Sequence, residues 1–216
     1  MNINLFALHV IAWLIGPLVC RAQSINPFRF GLIGGINASQ INTPSLKTTS
    51  GLLWQYGVGV TAEQRFSPRI SLVYELKYSR QGSRSKTFGL LGDDVNVSEY
   101  NYLALPIFIR SQPKGERVFV ELGGQVGYFL GGQNYFTSQK DQALKLQNVT
   151  PLDIGLIGGL GYRLSTHFVA DVRYYYGLRK IREDFTAPDP VTGIPTSYRI
   201  NPQHHRVWSL NLGYFF

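Results

Sequence analysis

The pattern at the C-terminal end of the chain constrains its fold most. From Arg206 to Phe216, Trp208, Leu210, Leu212, Tyr214 and Phe216 fall on one face of an extended strand. Val207, Ser209, Asn211, Gly213 and Phe215 fall on the other, because successive side chains alternate across a strand. One face is apolar with aromatics at both of its ends. That is the pattern of a strand crossing a bilayer, where aromatic rings favour the two water–lipid interfaces.

The same period of two recurs upstream. It predicts eight strands, near Phe28–Asn37, Leu52–Arg65, Ile70–Ser79, Tyr100–Arg110, Arg117–Leu130, Thr150–Leu164, Phe168–Gly177 and His204–Phe216. Several exceed the roughly 9–11 residues that a tilted strand needs to cross, so they project beyond the membrane. The connections alternate strictly. Phe66–Arg69, Ser111–Glu116 and Ser165–His167 are tight, whereas Ala38–Gly51, Arg80–Glu99, Gly131–Val149 and Leu178–Gln203 are long and polar. Short turns on one side and long loops on the other are the habit of outer-membrane barrels. The expected fold is all-β: an eight-stranded antiparallel up-and-down transmembrane β-barrel, with both termini on the short-turn, periplasmic side. Pro106 removes a ladder donor from the middle of the fourth strand and predicts an irregularity there. The loop after the seventh strand, with Pro188, Pro190, Pro195 and Pro202, is too proline-rich to continue either neighbour.

Residues 1–22 read as a cleaved signal peptide, leaving residues 23–216 as one barrel domain. Ile3 to Val19 is mostly apolar and uncharged, and Cys20 and Ala22 put small residues at the −3 and −1 positions of a cleavage site. Cys20 is the only cysteine, so the mature chain has no disulfide, thiol chemistry or sulfur metal site. The formal charge of +8 on the full chain falls by one with the loss of Arg21. For an exported protein this excess points to phosphorylated lipid rather than nucleic acid.

A soluble, lipocalin-like barrel alternates in the same way with its apolar face inward. Two features favour the membrane orientation. Trp54, Tyr56, Tyr78, Tyr128, Tyr174, Tyr176 and Trp208 sit at the loop ends of the apolar faces, and Phe28, Phe30, Tyr162, Phe168, Tyr214 and Phe216 at the turn ends. The polar faces mix charges of both signs with many glycines, which suits a narrow lumen. Seven strands place Glu63, Glu75, Glu121, Asp153 and Asp171 there with Arg29, Arg65, Lys77, Arg163 and Arg173, formally neutral. An eight-stranded barrel is just wide enough to be filled by side chains. The charges are therefore expected to pair, with an Arg163 or Arg173 contact to Glu121 or Asp171, rather than to line a channel. A narrow conduit past Glu121 and Arg173 is the rival reading.

No catalytic, cofactor-binding or metal-ligating set stands out. His204 and His205 are adjacent and point to opposite faces, a poor chelate. A hydrolase at the barrel rim would use His205 as base with Asp184 or Asp189, but no nucleophile motif accompanies them. Arg80, Arg84 and Lys86, just outside the third strand, and Arg179, Lys180 and Arg182, outside the seventh, are candidate contacts to lipopolysaccharide phosphates.

Gly31, Leu32, Ile33, Gly34, Gly35 in the first strand, Tyr102, Leu103, Ala104, Leu105, Pro106 in the fourth, and the closing Leu212, Gly213, Tyr214, Phe215, Phe216 together resemble the PorT-like outer-membrane β-barrel proteins of Bacteroidetes. The resemblance implies an outer-membrane location in a Gram-negative bacterium. It also implies insertion by the barrel-assembly machinery, which reads Tyr214 and Phe216 as an assembly signal. The expected function is non-enzymatic: a structural or partner-binding role at the envelope, in contact with outer-membrane lipid, lipopolysaccharide and an envelope protein.

Overall fold

The computed structural model describes residues 28–42, 50–89, 92–113, 115–188, 194–198 and 201–216. The leader expected at residues 1–22 lies outside them. Eight long strands carry the fold: β1 (Phe28–Asn42), β2 (Leu53–Arg65), β3 (Ile70–Gly89), β4 (Gly92–Ser111), β5 (Val118–Phe136), β6 (Leu152–Arg163), β7 (Phe168–Gly177) and β8 (His204–Phe215). Each pairs antiparallel with its sequence neighbours, and β1 pairs with β8 from Gly31↔Phe215 to Asn42↔His204, so the sheet closes on itself. Closure removes the edges that an open sheet leaves unpaired. Among the described residues no helix is long and apolar enough to cross a membrane; the crossing falls to the strands.

The alternation sorts the side chains as a bilayer requires. Leu32, Val60, Leu122, Leu160, Leu210 and Leu212 stand exposed on the outer wall, while Glu63, Glu75, Glu121, Asp171 and Arg173 are buried inside. Apolar out and charged in is the reverse of a lipocalin. The outer aromatics form two belts: Tyr174 packs on Trp208 at 4.7 Å between ring centroids on the loop side, and Phe168 on Tyr214 at 5.0 Å on the turn side.

Three long connections differ from expectation, the first because Ala38 to Asn42 is not loop and continues β1. Most of Arg80–Glu99 is not loop, because β3 and β4 remain paired out to Gly89↔Gly92, and β5 runs on to Phe136. These extensions lie beyond the lipid, with Gln81, Ser83, Val97, Glu99 and Tyr100 still buried and Arg84 and Lys86 exposed to water. The apolar alternation stops there although the hydrogen-bonded ladder does not. The segment after β7 holds its own two-stranded sheet, with Phe185–Pro188 paired to Pro195–Tyr198, and continues neither barrel strand.

Pro106 produces the expected irregularity, and it is a gap in the ladder, not a bulge. The proline keeps its register opposite Gln125 of β5, while on the β3 side the ladder passes from Tyr74↔Ile107 directly to Lys77↔Ala104. The missing N–H opens the ladder without displacing it. The register shift lies instead between Asn101 and Tyr102, where Asn101 faces Gly131 and Tyr102 faces Phe129.

Candidate functional site

The inward faces of β3, β4, β5, β7 and β8 converge on Arg173. Its Nε donates to Glu121 Oε2 at 2.7 Å, Nη1 to both Glu75 oxygens at 2.9 and 2.8 Å, and Nη2 to Asp171 Oδ2 at 2.9 Å. Glu121 is shared: Arg110 Nε donates to its Oε1 at 2.9 Å. Asp171 is tied through Asn211, whose Nδ2 donates to Oδ1 at 2.7 Å, and Lys77 Nζ donates to Asn211 Oδ1 at 2.8 Å. The network thus holds three acids, Glu75, Glu121 and Asp171, and three bases, Lys77, Arg110 and Arg173. All six are buried. Charges removed from water persist only when paired and hydrogen-bonded, and this set meets both conditions.

Aromatic rings and glycines shape the surrounding space. The Arg173 guanidinium lies 4.4 Å from the Phe108 ring centroid, and that of Arg110 lies 4.4 Å from that of Phe119, each a desolvated cation–π contact. Gly161 leaves room for Phe119, since a Cβ there would stand 2.2 Å from the ring. In the middle of the lumen these rings and the six charged side chains are all buried.

At the short-turn mouth a second cluster surrounds Glu63. Arg163, Arg110, Arg65 and Arg29 place nitrogens 3.5, 3.6, 3.8 and 3.9 Å from its carboxylate. The hydrogen bond to Glu63 comes instead from Ser71, at 2.9 Å. Arg163 is therefore not joined to Glu121 or Asp171; its Nε donates to Gln112 Oε1 at 3.1 Å.

The loop-side end is organised separately. His205 is fully buried, with its Nε2 3.1 Å from the Tyr102 hydroxyl and its ring edge-on to Tyr100 and Tyr102. Asp184, its suggested acid, is exposed, and Asp189 lies outside the described residues. Asp153 is buried near Tyr175 and Arg206, apart from the Arg173 network. Further out, beyond the Tyr78↔Leu103 row, Glu99 accepts from Arg80 at 2.8 Å, Gln55 and Gln133 at 3.0 Å and Tyr135 at 3.1 Å. Burial alone pushes the Glu99 carboxyl up. The hydrogen bonds from Gln133 and Gln55 and the charge of Arg80 outweigh it and hold the group below the usual carboxylate range.

Of the candidate phosphate contacts, Arg84, Lys86, Arg179 and Lys180 are exposed and Arg182 is half-buried. Arg80 is held against Glu99 and lies over the Tyr56 ring. Tyr214 packs against Phe168 and Phe216 at the turn-side belt, and Phe216 N–H donates to Phe30 O at 2.9 Å. No group of three or more metal-ligating side chains occurs among the described residues.

The sequence reading missed Arg110. It has the same inward parity as Tyr102, Ala104 and Phe108, but Pro106 obscures that face of β4. Glu99 and Arg206 were missed because they lie where the alternation fades.

No curated protein matches the chain. Similar solved structures include Ail, the attachment invasion locus protein of Yersinia pestis, at 13% identity and a TM-score of 0.47, covering 87% of this chain and 98% of that one. Neisserial surface protein A is 13% identical with a TM-score of 0.48, covering 87% of this chain and 97% of its own. OprG from Pseudomonas aeruginosa is 17% identical with a TM-score of 0.40, covering 88% and 94%. Residues 21–183 match a family described as outer membrane protein beta-barrel domain; with a closed sheet, an apolar outer wall and a charged interior, the chain belongs to that family of outer-membrane proteins.

Proposed function

We propose that this barrel is a non-enzymatic structural or partner-binding component of the cell envelope, closed to solutes, with both termini in the periplasm. The observation that carries the reading is the Arg173 network. One guanidinium with three carboxylate partners, flanked by Phe108, occupies the middle of the lumen where a conduit would need water. An eight-stranded barrel has little space beyond what such side chains fill.

The working surfaces are then outside the lumen. The extended β3–β4 hairpin, with exposed Arg84 and Lys86, and the segment carrying Arg179, Lys180 and Arg182 offer charge-assisted donors to lipopolysaccharide phosphates or a rim for an envelope protein. The PorT-like resemblance supports the same placement, with Tyr214 and Phe216 presented to the barrel-assembly machinery. The test is conductance across a planar bilayer holding the refolded protein. No steady current is expected; an ohmic current from single insertions would favour the channel.

A further inference from the structure

The interior charges divide into two groups of different balance. Around Arg173, three acids face three bases. At the short-turn mouth, Glu63 is the acid that, among the described residues, forms ion pairs with Arg29, Arg65 and Arg163, in addition to the Arg110 that Glu121 already engages. Arg69 lines the same cavity. The mouth carries an excess of at least two positive charges in a partly buried place.

Glu63 does not resolve this excess. The four guanidinium nitrogens stand 3.5–3.9 Å from its oxygens, longer than the roughly 2.7–2.9 Å of a charge-assisted bond. Glu63 Oε2, Arg110 Nη1 and Arg163 Nη1 are buried with no hydrogen-bond partner, although the Arg110 side chain is only 2% exposed. Buried donors without partners are costly. Beside Glu63 and Arg163 opens a cavity of about 220 Å³, lined also by Arg65, Arg69, Ser71 and Gln112. It has room for several waters at about 30 Å³ each, and it is rich in donors.

We propose that this mouth binds a compact oxyanion of the phosphate class. A phosphate supplies an acceptor for Arg163, whose Nη1 has no hydrogen-bond partner, and for the Arg65 and Arg69 donors that line the same cavity, together with the negative charge that the cluster lacks. Arginine's planar fork suits its oxygens. That the site faces the periplasm rests on the orientation proposed above, but binding in vitro does not. The phosphate belongs either to a free solute or to a lipid headgroup at the barrel rim.

The test titrates inorganic phosphate into the full barrel refolded in an uncharged maltoside detergent at about pH 8, read by calorimetry and by the midpoint of thermal unfolding. Saturable binding and a raised midpoint are expected, with no effect from chloride at matched ionic strength. Arg163→Gln, which leaves the Arg173 network untouched, should weaken binding by about tenfold or more, the loss of one charge-assisted bond. Arg65→Gln, at a more exposed side chain, provides the same measurement if the first variant folds poorly. Glu63→Gln should tighten binding. Absence of saturable binding, or equal affinity in wild type and the arginine variants, overturns the proposal, whatever the conductance result. Repeating the titration in nanodiscs separates the sources. In discs of a phosphate-free glycolipid, binding lost on adding phosphatidylglycerol but kept on adding an equally anionic lipid without phosphate identifies a headgroup in the site; binding kept in both identifies a free solute.

Discussion

Arg173 and Glu121 meet at 2.7 Å although β6 runs between their strands. Both pair with the same residue of that strand, Gly159. A Cβ there would lie 2.9 Å from Arg173 Cγ and 3.3 Å from Glu121 Oε2. The glycine therefore lets two inward side chains bridge a strand that a larger residue would use to separate them. Arg110 lies in the same row on the far side of Glu121, so one ladder position carries the acid and both of its cations.

Gly161 tests the packing around this row. Its missing Cβ would stand 2.2 Å from the buried Phe119 ring and 2.9 Å from Ala170 O. Gly161→Ala should destabilise the barrel by about 1–3 kcal/mol, the usual cost of overpacking, measured by urea unfolding in lipid vesicles. Gly158→Ala, where a Cβ meets nothing within 4 Å, serves as the control and should be nearly neutral.

Leu210 tests the orientation. It is 51% exposed on the outer wall, between the belt residues Trp208 and Tyr214. Leu210→Arg should cost about 2–4 kcal/mol, as for a cation at the bilayer midplane, whereas Arg in place of Leu144, on the exposed loop-side segment, should cost little. Equal effects would place the apolar wall somewhere other than against lipid.

Much of this was legible in the sequence, because a period of two assigns a face to every residue once the strand is located. Glu75, Glu121, Asp171 and Arg173 could be placed inside together on that ground alone. Which of them touch depends on register between strands, which the period does not contain. Arg163 shows the gap: it has the right face but the wrong height, and meets Glu63 instead of Glu121. Arg110 was hidden by a proline four residues away. The β3–β4 extension was hidden because outside the bilayer no apolar face marks a strand.

Glu99 gives a pH dependence to that extension. Its folded carboxyl lies below the usual range, so it adds stability above the unfolded pKa of about 4.3 and loses it as pH falls through the folded value. Amide protection of the outer β3, β4 and β5 residues should drop on acidification through that window. Glu99→Gln should lower protection at neutral pH and flatten the profile. An unchanged acid profile in the variant would assign the dependence to other groups.

Phe216 tests the assembly role. It is 70% exposed and meets the Tyr214 ring edge-on at 5.6 Å. Deleting it should reduce the amount of barrel inserted in cells far more than it lowers the stability of barrel refolded in detergent. Equal insertion of both chains would remove the role.

The central claim, that the lumen is closed by a coupled charge network, is tested most directly by a double-mutant cycle on Arg173 and Glu75. Glu75 suits the cycle because Arg173 Nη1 bonds both of its oxygens, whereas neutralising Glu121 would also weaken the hydrogen-bonded pair that Arg110 makes with it. Arg173→Met alone should cost about 3–5 kcal/mol, since it leaves buried carboxylates uncompensated. Adding Glu75→Gln should recover part of that loss, so that the double variant is more stable than Arg173→Met and the coupling energy falls within about 0.5–3 kcal/mol. Additive losses with no coupling would mean that the two groups are solvated independently, and a lumen wet enough to do that is a conduit rather than a plug.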